Sequence, residues 1–337
     1  MTPATKPGLA FFYDRTRAPD MMGDAQRASL APFRLLTPEP VATPEGLPDC
    51  VLAEIEFIVS GWGCPCLDEP LLDRMPKLRF VAHTGSAVKP VISPSIWLRG
   101  IRISSAAAAN ARPVAEYALA AILWANKQVL AAREFYRDTG RPQRYPWTAP
   151  DSPGNCGPTI GIVGASRTGR HLMSLLSHFD MTVLLADPYA DAAEWSDSTI
   201  RLVDRQELAA LSDVVSLHAP LTEETRGMID AAFLAGMKPG ATLVNTGRGG
   251  LVDQDALIAA LISGRIFAIL DVTEPEPLPA GSPLLSLPNA FVTPHVAGAA
   301  GYETRRLVDL AISETLRFHL GEPLLHEVTQ RRAEQFG

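Results

Sequence analysis

The stretch from Thr159 to Asp187, TIGIVGASRTGRHLMSLLSHFDMTVLLAD, limits what this chain can fold into more than any other. Ile160-Gly161-Ile162-Val163 is a short apolar run of the kind that forms a strand buried on both faces. The turn Gly164-Ala165-Ser166-Arg167-Thr168-Gly169 follows, and then an apolar-periodic helix through Leu172, Leu175, Leu176 and Phe179. A second apolar run, Met181 to Ala186, ends on Asp187, eighteen residues past Gly169 (187 − 169). Strand, glycine turn, helix, strand and acid, in that order, make the local geometry that a dinucleotide requires. Gly164 permits a sharp turn, Gly169 lets helix and strand pack closely, and the helix N-terminus offers free N–H groups to a pyrophosphate. Arg167 and Thr168 lie in that first turn. Asp187 accepts hydrogen bonds from a ribose diol and repels a 2′-phosphate, which favours NAD over NADP. Ser166 departs from the pattern, because a glycine is usual where backbone approaches phosphate most closely.

Flanking segments extend this unit in both directions. Leu9 to Tyr13, Phe57 to Ser60, Leu78 to Ala82 and Ile101 to Ser104 are expected parallel strands of a first α/β domain, with a short helix over Pro70 to Arg74. Pro113 is expected as the first residue of a long alanine-rich helix running to Tyr136, with Ala106 to Ala109 a low-complexity tract before it. Five prolines and three glycines between residues 138 and 158 predict a loop. Beyond Asp187, expected helices (Leu208 to Leu211, Glu223 to Ala235, Gln254 to Ser263) alternate with expected strands (Val214 to His218, Ala241 to Asn245, Ile266 to Asp271, Ala290 to Thr293). A last helix is expected over Tyr302 to Leu320. Such alternation builds a doubly wound parallel sheet, whose ligands bind at the carboxyl ends of the strands.

Composition excludes several other classes. The 337 residues suffice for two domains, and 47% hydrophobic with 20% charged content is that of a globular protein with a substantial core. A net charge of −7 with no basic stripe argues against nucleic acid. No run is long enough to span a bilayer, and Asp14-Arg15 ends the first apolar run too soon for a signal peptide, so a cytoplasmic protein is expected. Four cysteines suggest no disulfide framework, and Cys64-Pro65-Cys66 lacks a second ligand pair for a metal; no metal is expected.

Three charged residues stand just after expected strands: Arg248 in NTGRGG, Glu276 in DVTEPEP and His295 in TPHVAG. Singly, each has an ordinary structural reading as a surface charge, a solvated loop acid and a satisfied turn histidine. Together on one edge of a dinucleotide-binding sheet they make a catalytic constellation.

These motifs resemble the D-isomer-specific 2-hydroxyacid dehydrogenases, the family of phosphoglycerate, glyoxylate, lactate and formate dehydrogenases. The matching segments are the GASRTG turn with Asp187, LHAPLT at 217–222, NTGRGGLVD at 245–253, DVTEPEP at 271–277 and TPHVAG at 293–298, with Asn110 and PVAE at 113–116 ahead of them. The resemblance covers nearly the whole chain. It implies an α/β protein of two domains, a doubly wound Rossmann NAD domain over 113–298 inserted into a smaller flavodoxin-like substrate domain over 1–112, which 299–337 completes. It implies that Arg248, Glu276 and His295 are catalytic. It implies a cofactor site of Gly164, Ser166, Arg167, Thr168, Gly169, Asp187, His218, Pro220, Thr246, Gly247, Asp271 and Gly298. Gly85, Ser86, Ala87 and Asn110, with Arg248, are the implied substrate contacts. A homodimer through the NAD domain is also implied, and the apolar side chains Leu119, Ile122, Leu123, Trp124, Val129 and Leu130 agree with it. Three departures bear on the substrate: Thr273 stands where an aromatic is usual, Gly247 where alanine or serine is usual, and the loop from Thr84 to Pro90 lacks the usual aspartate.

Side-chain chemistry suggests the reaction. Protonated His295 can donate to the oxygen of a small 2-keto acid as hydride arrives, and reverse the step as a base. Glu276, bonded to the other ring nitrogen, would fix the tautomer, with Glu274 the next candidate for that place. Arg248 offers a planar fork to the carboxylate, and the backbone N–H groups of Ser86 and Ala87 can hold the same group. Trp62 is a possible pocket wall, and His83, nearest the substrate loop, a possible specificity residue. The competing reading is an NAD-sensing binding module of the same fold that recruits partners, as related corepressors do.

Overall fold

The computed structural model describes residues 6–16, 22–140, 154–195 and 199–336. The prolines at 142, 146, 150 and 153 of the expected loop lie outside the described residues. Strands in chain order are β1 (Gly8–Phe12), β2 (Arg34–Leu35), β3 (Ile55–Ser60), β4 (Phe80–His83), β5 (Arg102–Ser105), β6 (Thr159–Val163), β7 (Thr182–Ala186), β8 (Ile200–Leu202), β9 (Val214–Leu217), β10 (Thr242–Asn245), β11 (Phe267–Leu270), β12 (Ala290–Val292) and β13 (Glu327–Val328). The chain divides into two compact units, 1–110 with 299–337, and 111–298. The first division falls inside the helix Ala107–Asn126, two residues before the expected 112/113 boundary.

In the first unit the sheet order is β13-β5-β4-β3-β1-β2. β1 to β5 pair in parallel, while β13 runs antiparallel on the β5 edge. Alternate residues face opposite ways along a strand, so Leu9 and Phe11, Phe57 and Val59, and Phe80 and Ala82 share one face. The helix Thr304–His319 covers that face with Val308, Ala311 and Ile312. This packing explains why 299–337 belongs with the N-terminal unit. Buried Glu314 in the same helix accepts the N–H groups of Leu325 and His326 at 3.2 and 2.9 Å, which anchors the segment leading to β13.

The second unit has the sheet order β12-β11-β10-β9-β6-β7-β8, with all strands parallel. Helices cover both faces, so each strand needs apolar side chains on both sides. Ile160, Ile162, Val183, Leu185, Val214 and Val244 pack against Ala115, Ala118 and Ile122 of the helix Ala107–Asn126. Leu184, Val215, Leu217, Leu243 and Leu270 pack instead against the helices Arg205–Leu211, Ala231–Gly236 and Gln254–Ile262. The strand order reverses between β6 and β9, the point where such sheets open a crevice at their carboxyl ends.

Several expected helix limits are corrected. Pro113 lies inside a helix, not at its start: the helix begins at Ala107, and the alanine tract forms its first turn. Proline removes one backbone bond there, and Pro113, like the neighbouring Ala111 and Ala115, is buried. The expected single helix to Tyr136 is two, because Gln128 takes a left-handed conformation (φ 49°) before Val129–Thr139. The helix after the dinucleotide turn stops at Leu176, leaving Phe179 beyond it. Only Ala231–Gly236 of the helix expected over Glu223 to Ala235 is helical. Thr225 Oγ1 accepts the Thr222 N–H (2.8 Å) and donates to the Pro220 carbonyl (2.6 Å), holding a turn instead. Asp230 then caps the short helix by accepting the Phe233 N–H at 2.8 Å. Among the described residues, no helix is long and apolar enough to cross a membrane.

Candidate active site

The dinucleotide turn sits at the β6/β9 reversal. Gly164 has φ of +100°, and a methyl group there would lie 2.5 Å from the Ala219 nitrogen, so only glycine lets the turn pass the segment that follows β9. Ser166 has a role its sequence position did not suggest. It is the N-cap of the helix Arg167–Leu176, its hydroxyl accepting the Gly169 N–H at 3.3 Å. The N–H groups of Arg167 and Thr168 keep no intrahelical acceptor. Asp187 accepts the Ala165 N–H on Oδ2 (2.7 Å) and the Tyr189 N–H on Oδ1 (2.8 Å), which ties the end of β7 to the turn. A carboxylate has about four acceptor positions, so both oxygens can still receive ribose hydroxyls. Arg170 is committed elsewhere: it pairs with Glu194 and donates to the Ala165 carbonyl at 2.9 Å.

Two buried polar atoms on the same edge have no partner among the described residues, Thr246 Oγ1 and His218 Nδ1. Native interiors rarely leave such atoms unpaired. With the close-approach glycine and the free helix N–H groups, they fit a bound dinucleotide. His218 bonds Ser216 through Nε2 at 2.8 Å, and burial pushes its pKa down to about 4. Burial likewise lowers His83, in the other unit, to about 4. Between pH 6.5 and 4 the unfolded chain therefore binds protons at both positions that the folded chain refuses. Each ring's contribution is present above pH 6.5 and is lost as pH falls toward 4, on the order of 3 kcal/mol per ring. Melting temperature should decline over that window, and His218→Gln should flatten the decline; an unaltered acid limb in the variant would count against a neutral buried ring.

Adjacent strands deliver the three charged residues, with Arg248 after β10, Glu276 after β11 and His295 after β12. Asn245, 1% exposed, shapes the first loop: its amide donates to the Arg248 carbonyl (2.9 Å) and accepts the Gly247 N–H (3.0 Å). The exposed Arg248 side chain donates to the Gly247 carbonyl at 2.8 Å and makes no ion pair with Glu276. His295 Nδ1 lies 2.7 Å from Glu276 Oε1, with the two side chains 52% and 42% exposed. Nδ1 is thereby occupied and Nε2 is the ring nitrogen left for chemistry. Glu274, the alternative partner, pairs instead with Arg226 at 2.7 Å.

Asp271 holds the histidine loop from beneath. It is 1% exposed, and its carboxylate accepts the Thr293 hydroxyl (2.7 Å) and the N–H groups of Val296 (2.8 Å) and Ala297 (2.9 Å). Thr293 in turn bonds the Tyr117 hydroxyl at 2.7 Å, and burial raises the Tyr117 pKa. His295 takes φ of +57°, uncommon for a residue with a Cβ, while its N–H donates to the Asp271 carbonyl at 2.9 Å. Asn245, Thr293 and Tyr117 were not singled out in the sequence; only their positions within or ahead of the quoted motifs hint at them.

The expected substrate loop lies in the first unit, after β4. Ala106 donates to the Gly85 carbonyl at 3.2 Å, and a trans peptide then turns the Ser86 N–H the opposite way. None of the N–H groups from Gly85 to Val88 donates to another group among the described residues. Unpaired N–H groups at such a bend are available to an anion. Asn110 braces this loop, its amide donating to Ser86 Oγ (3.0 Å) and accepting the Ala299 N–H (2.8 Å). Among the described residues no group of three or more His, Cys, Asp or Glu side chains could hold a metal ion.

Residues 119–297 match the family model described as D-isomer specific 2-hydroxyacid dehydrogenase, NAD binding domain. The chain belongs to this family. It is 35% identical over 257 residues to the D-3-phosphoglycerate dehydrogenase of Mycobacterium tuberculosis, covering 75% of this chain and 47% of that protein. This 2-hydroxyacid dehydrogenase relative thus spans about half the length of the phosphoglycerate dehydrogenases it matches. A glyoxylate reductase of Thermofilum pendens is 33% identical over 266 residues, covering 76% of each chain. Among solved structures, a D-isomer specific 2-hydroxyacid dehydrogenase from Xanthobacter autotrophicus Py2, in complex with NADPH and MES, superposes with a TM-score of 0.76 and 26% identity over 97% of this chain and 99% of that one. The family's two-domain α/β architecture and its NAD-binding domain are therefore those of this chain.

Proposed function

We propose that this chain interconverts a small D-2-hydroxy acid and its 2-keto acid with NAD as the hydride carrier. The observation that carries this reading is the 2.7 Å Glu276–His295 pair beside Arg248 at the carboxyl ends of three adjacent strands of an NAD-binding sheet. The Arg248, Glu276 and His295 set alone does not separate an enzyme from an NAD-sensing module, because sensing relatives of this fold can keep it, and turnover is the measurement that discriminates.

The turn from Gly164 to Gly169, Asp187, and His218, Pro220, Thr246, Gly247, Asp271 and Gly298 would hold the cofactor. NADH, when bound there, would supply the hydride for C2 of the keto acid. Arg248 holds the carboxylate through parallel donors and polarises the carbonyl; the free N–H groups of Ser86 and Ala87 are the second cradle for that carboxylate. His295 Nε2 gives its proton to the carbonyl oxygen as C2 is reduced, which leaves the 2-hydroxy acid and a neutral ring. In the oxidative direction the same nitrogen takes the hydroxyl proton. Glu276 keeps the Nδ1 proton facing itself, so Nε2 always faces the reaction. The test is a panel of 2-keto acids with NADH and NADPH, following loss of the reduced cofactor. Reduction of at least one acid with NADH is expected, and no turnover across the panel would leave the sensing module as the better account.

NAD preference follows from Asp187 and from the commitment of Arg170 to Glu194. Asp187→Ala should narrow the NAD/NADP ratio of kcat/KM, whereas equal use of both cofactors by the unmodified protein would overturn the assignment. A homodimer through the 111–298 unit is the expected assembly. Ile122 is buried within its own unit, but Trp124 is 51% exposed and Tyr136 is also exposed, more apolar surface than a solvated helix pair usually carries. Light scattering at micromolar concentration should give twice the chain mass, and a monomer would remove this interface.

A further inference from the structure

A histidine sealed beneath the substrate loop calls for an explanation. His83 is the last residue of β4 and is 4% exposed, where an apolar side chain would avoid the cost of burying an imidazole. Its Nδ1 lies 2.9 Å from the hydroxyl of Ser60, its register partner on β3, and Ser60 is fully buried. Burial depresses the ring's pKa, while a backbone hydrogen bond at Ala87 acts in the opposite sense. A bond that favours the protonated ring is one in which a ring N–H donates to a carbonyl. With the Ser60 hydroxyl donating to Nδ1, the neutral ring keeps its single proton on Nε2. The loop also presses on that edge: a methyl group on Gly85 would lie 2.5 Å from Nε2, so a side chain at residue 85 would force the ring or the loop to shift.

Resting on the reading of this chain as a 2-keto acid reductase, we propose that the Ser60–His83 pair is the positioning device of the carboxylate cradle. Ser60 fixes the ring, the ring holds the loop at Gly85 and Ala87, and the unpaired N–H groups of residues 85–88 are thereby held in one concave arrangement. His83 acts through the loop and touches no reacting atom. Asn110, bonded to Ser86, braces the cradle from the side, and His83 supports it from below.

The substitutions that test this are His83→Leu, which fills the space without a hydrogen bond, and His83→Gln, whose amide can reach the Nε2 position and donate to the loop. Amide hydrogen exchange at Thr84 and Ala106, whose N–H groups donate to the Ser60 carbonyl and to the His83 and Gly85 carbonyls, reads the loop without any reaction. It should quicken tenfold or more in His83→Leu and return toward the unmodified rate in His83→Gln. In steady-state reduction, His83→Leu should raise KM for the keto acid tenfold or more, with a smaller fall in kcat and NADH KM within twofold. Unchanged exchange at Thr84 and Ala106 in His83→Leu, or an unchanged keto-acid KM in that variant, overturns the proposal. If the unmodified protein reduces no 2-keto acid, the functional reading fails by itself, and the exchange measurement still decides whether His83 positions the loop.

Discussion

Arg248→Lys is expected to bind NADH with near-normal affinity and to lose about a hundredfold or more of kcat/KM for the keto acid, roughly 3 kcal/mol of transition-state stabilisation. Lysine keeps the charge but presents it as a point on a flexible stem, whereas the guanidinium offers a planar fork matched to a carboxylate. The backbone on either side of Arg248 is fixed by Asn245, which bonds both the Gly247 N–H and the Arg248 carbonyl. A lysine would therefore leave from the same place and the loop would keep its shape. Cofactor affinity is the control, because it reports on the neighbouring Thr246 and Gly247 without involving the fork. A lysine variant with kcat/KM within a few-fold of the unmodified protein would show that Arg248 does not hold the carboxylate. Equal losses for keto acid and NADH would instead locate the defect in the loop.

Strands that are buried on both faces could be read from short apolar runs, and β6, β9, β10 and β11 fall where Ile160 to Val163, Val214 to His218, Ala241 to Asn245 and Ile266 to Asp271 were expected. Edge strands divide: β12 falls where Ala290 to Thr293 was expected, while β2 and β13, with two residues each, and β8, with three, were not expected. Their pairing depends on what the neighbouring strand offers. Helix limits were misread where one local interaction overrode propensity. Gln128 breaks an otherwise continuous apolar pattern by adopting a left-handed backbone, and the Thr225 hydroxyl holds residues 220–225 in a turn that runs into the expected helix.

Within the candidate site, Arg248, Glu276 and His295 were legible because each stands in a short motif at a strand end. The residues that hold them in place were not. Tyr117 and Thr293 meet across 176 positions of chain, and no local pattern joins a tyrosine in an alanine-rich helix to a threonine before TPHVAG. Ser60 and His83 meet only because β3 and β4 pair in one particular register. Ser166, a departure from the glycine pattern, becomes intelligible once its hydroxyl is seen to cap the helix. Pairing and capping depend on backbone path, which a linear motif encodes only when every intervening turn is known.

Glu276→Gln should lower kcat/KM by about a hundredfold or more while leaving NADH affinity intact. Glutamine is nearly isosteric and can still meet His295 Nδ1 across the 2.7 Å now spanned by Oε1. A carboxylate can only accept, so it forces the Nδ1 proton to face it and leaves Nε2 as the reactive nitrogen. An amide can accept or donate, so half of its orientations favour the wrong tautomer, and it no longer sets a negative charge against the ring when the ring carries both protons. The equilibrium constant belongs to the reactants and not to the enzyme. With cofactor and hydroxy-acid affinity unchanged, the fold loss at a given pH should therefore be the same for reduction and for oxidation. Glu274→Gln is the matched control: it lies two residues away, removes the same charge, and disturbs only the exposed pair with Arg226, which is worth little in solvent. Its kcat/KM should stay within about twofold. If Glu276→Gln behaves like Glu274→Gln, the 2.7 Å contact does not orient His295 for proton transfer, and the catalytic reading of the pair falls.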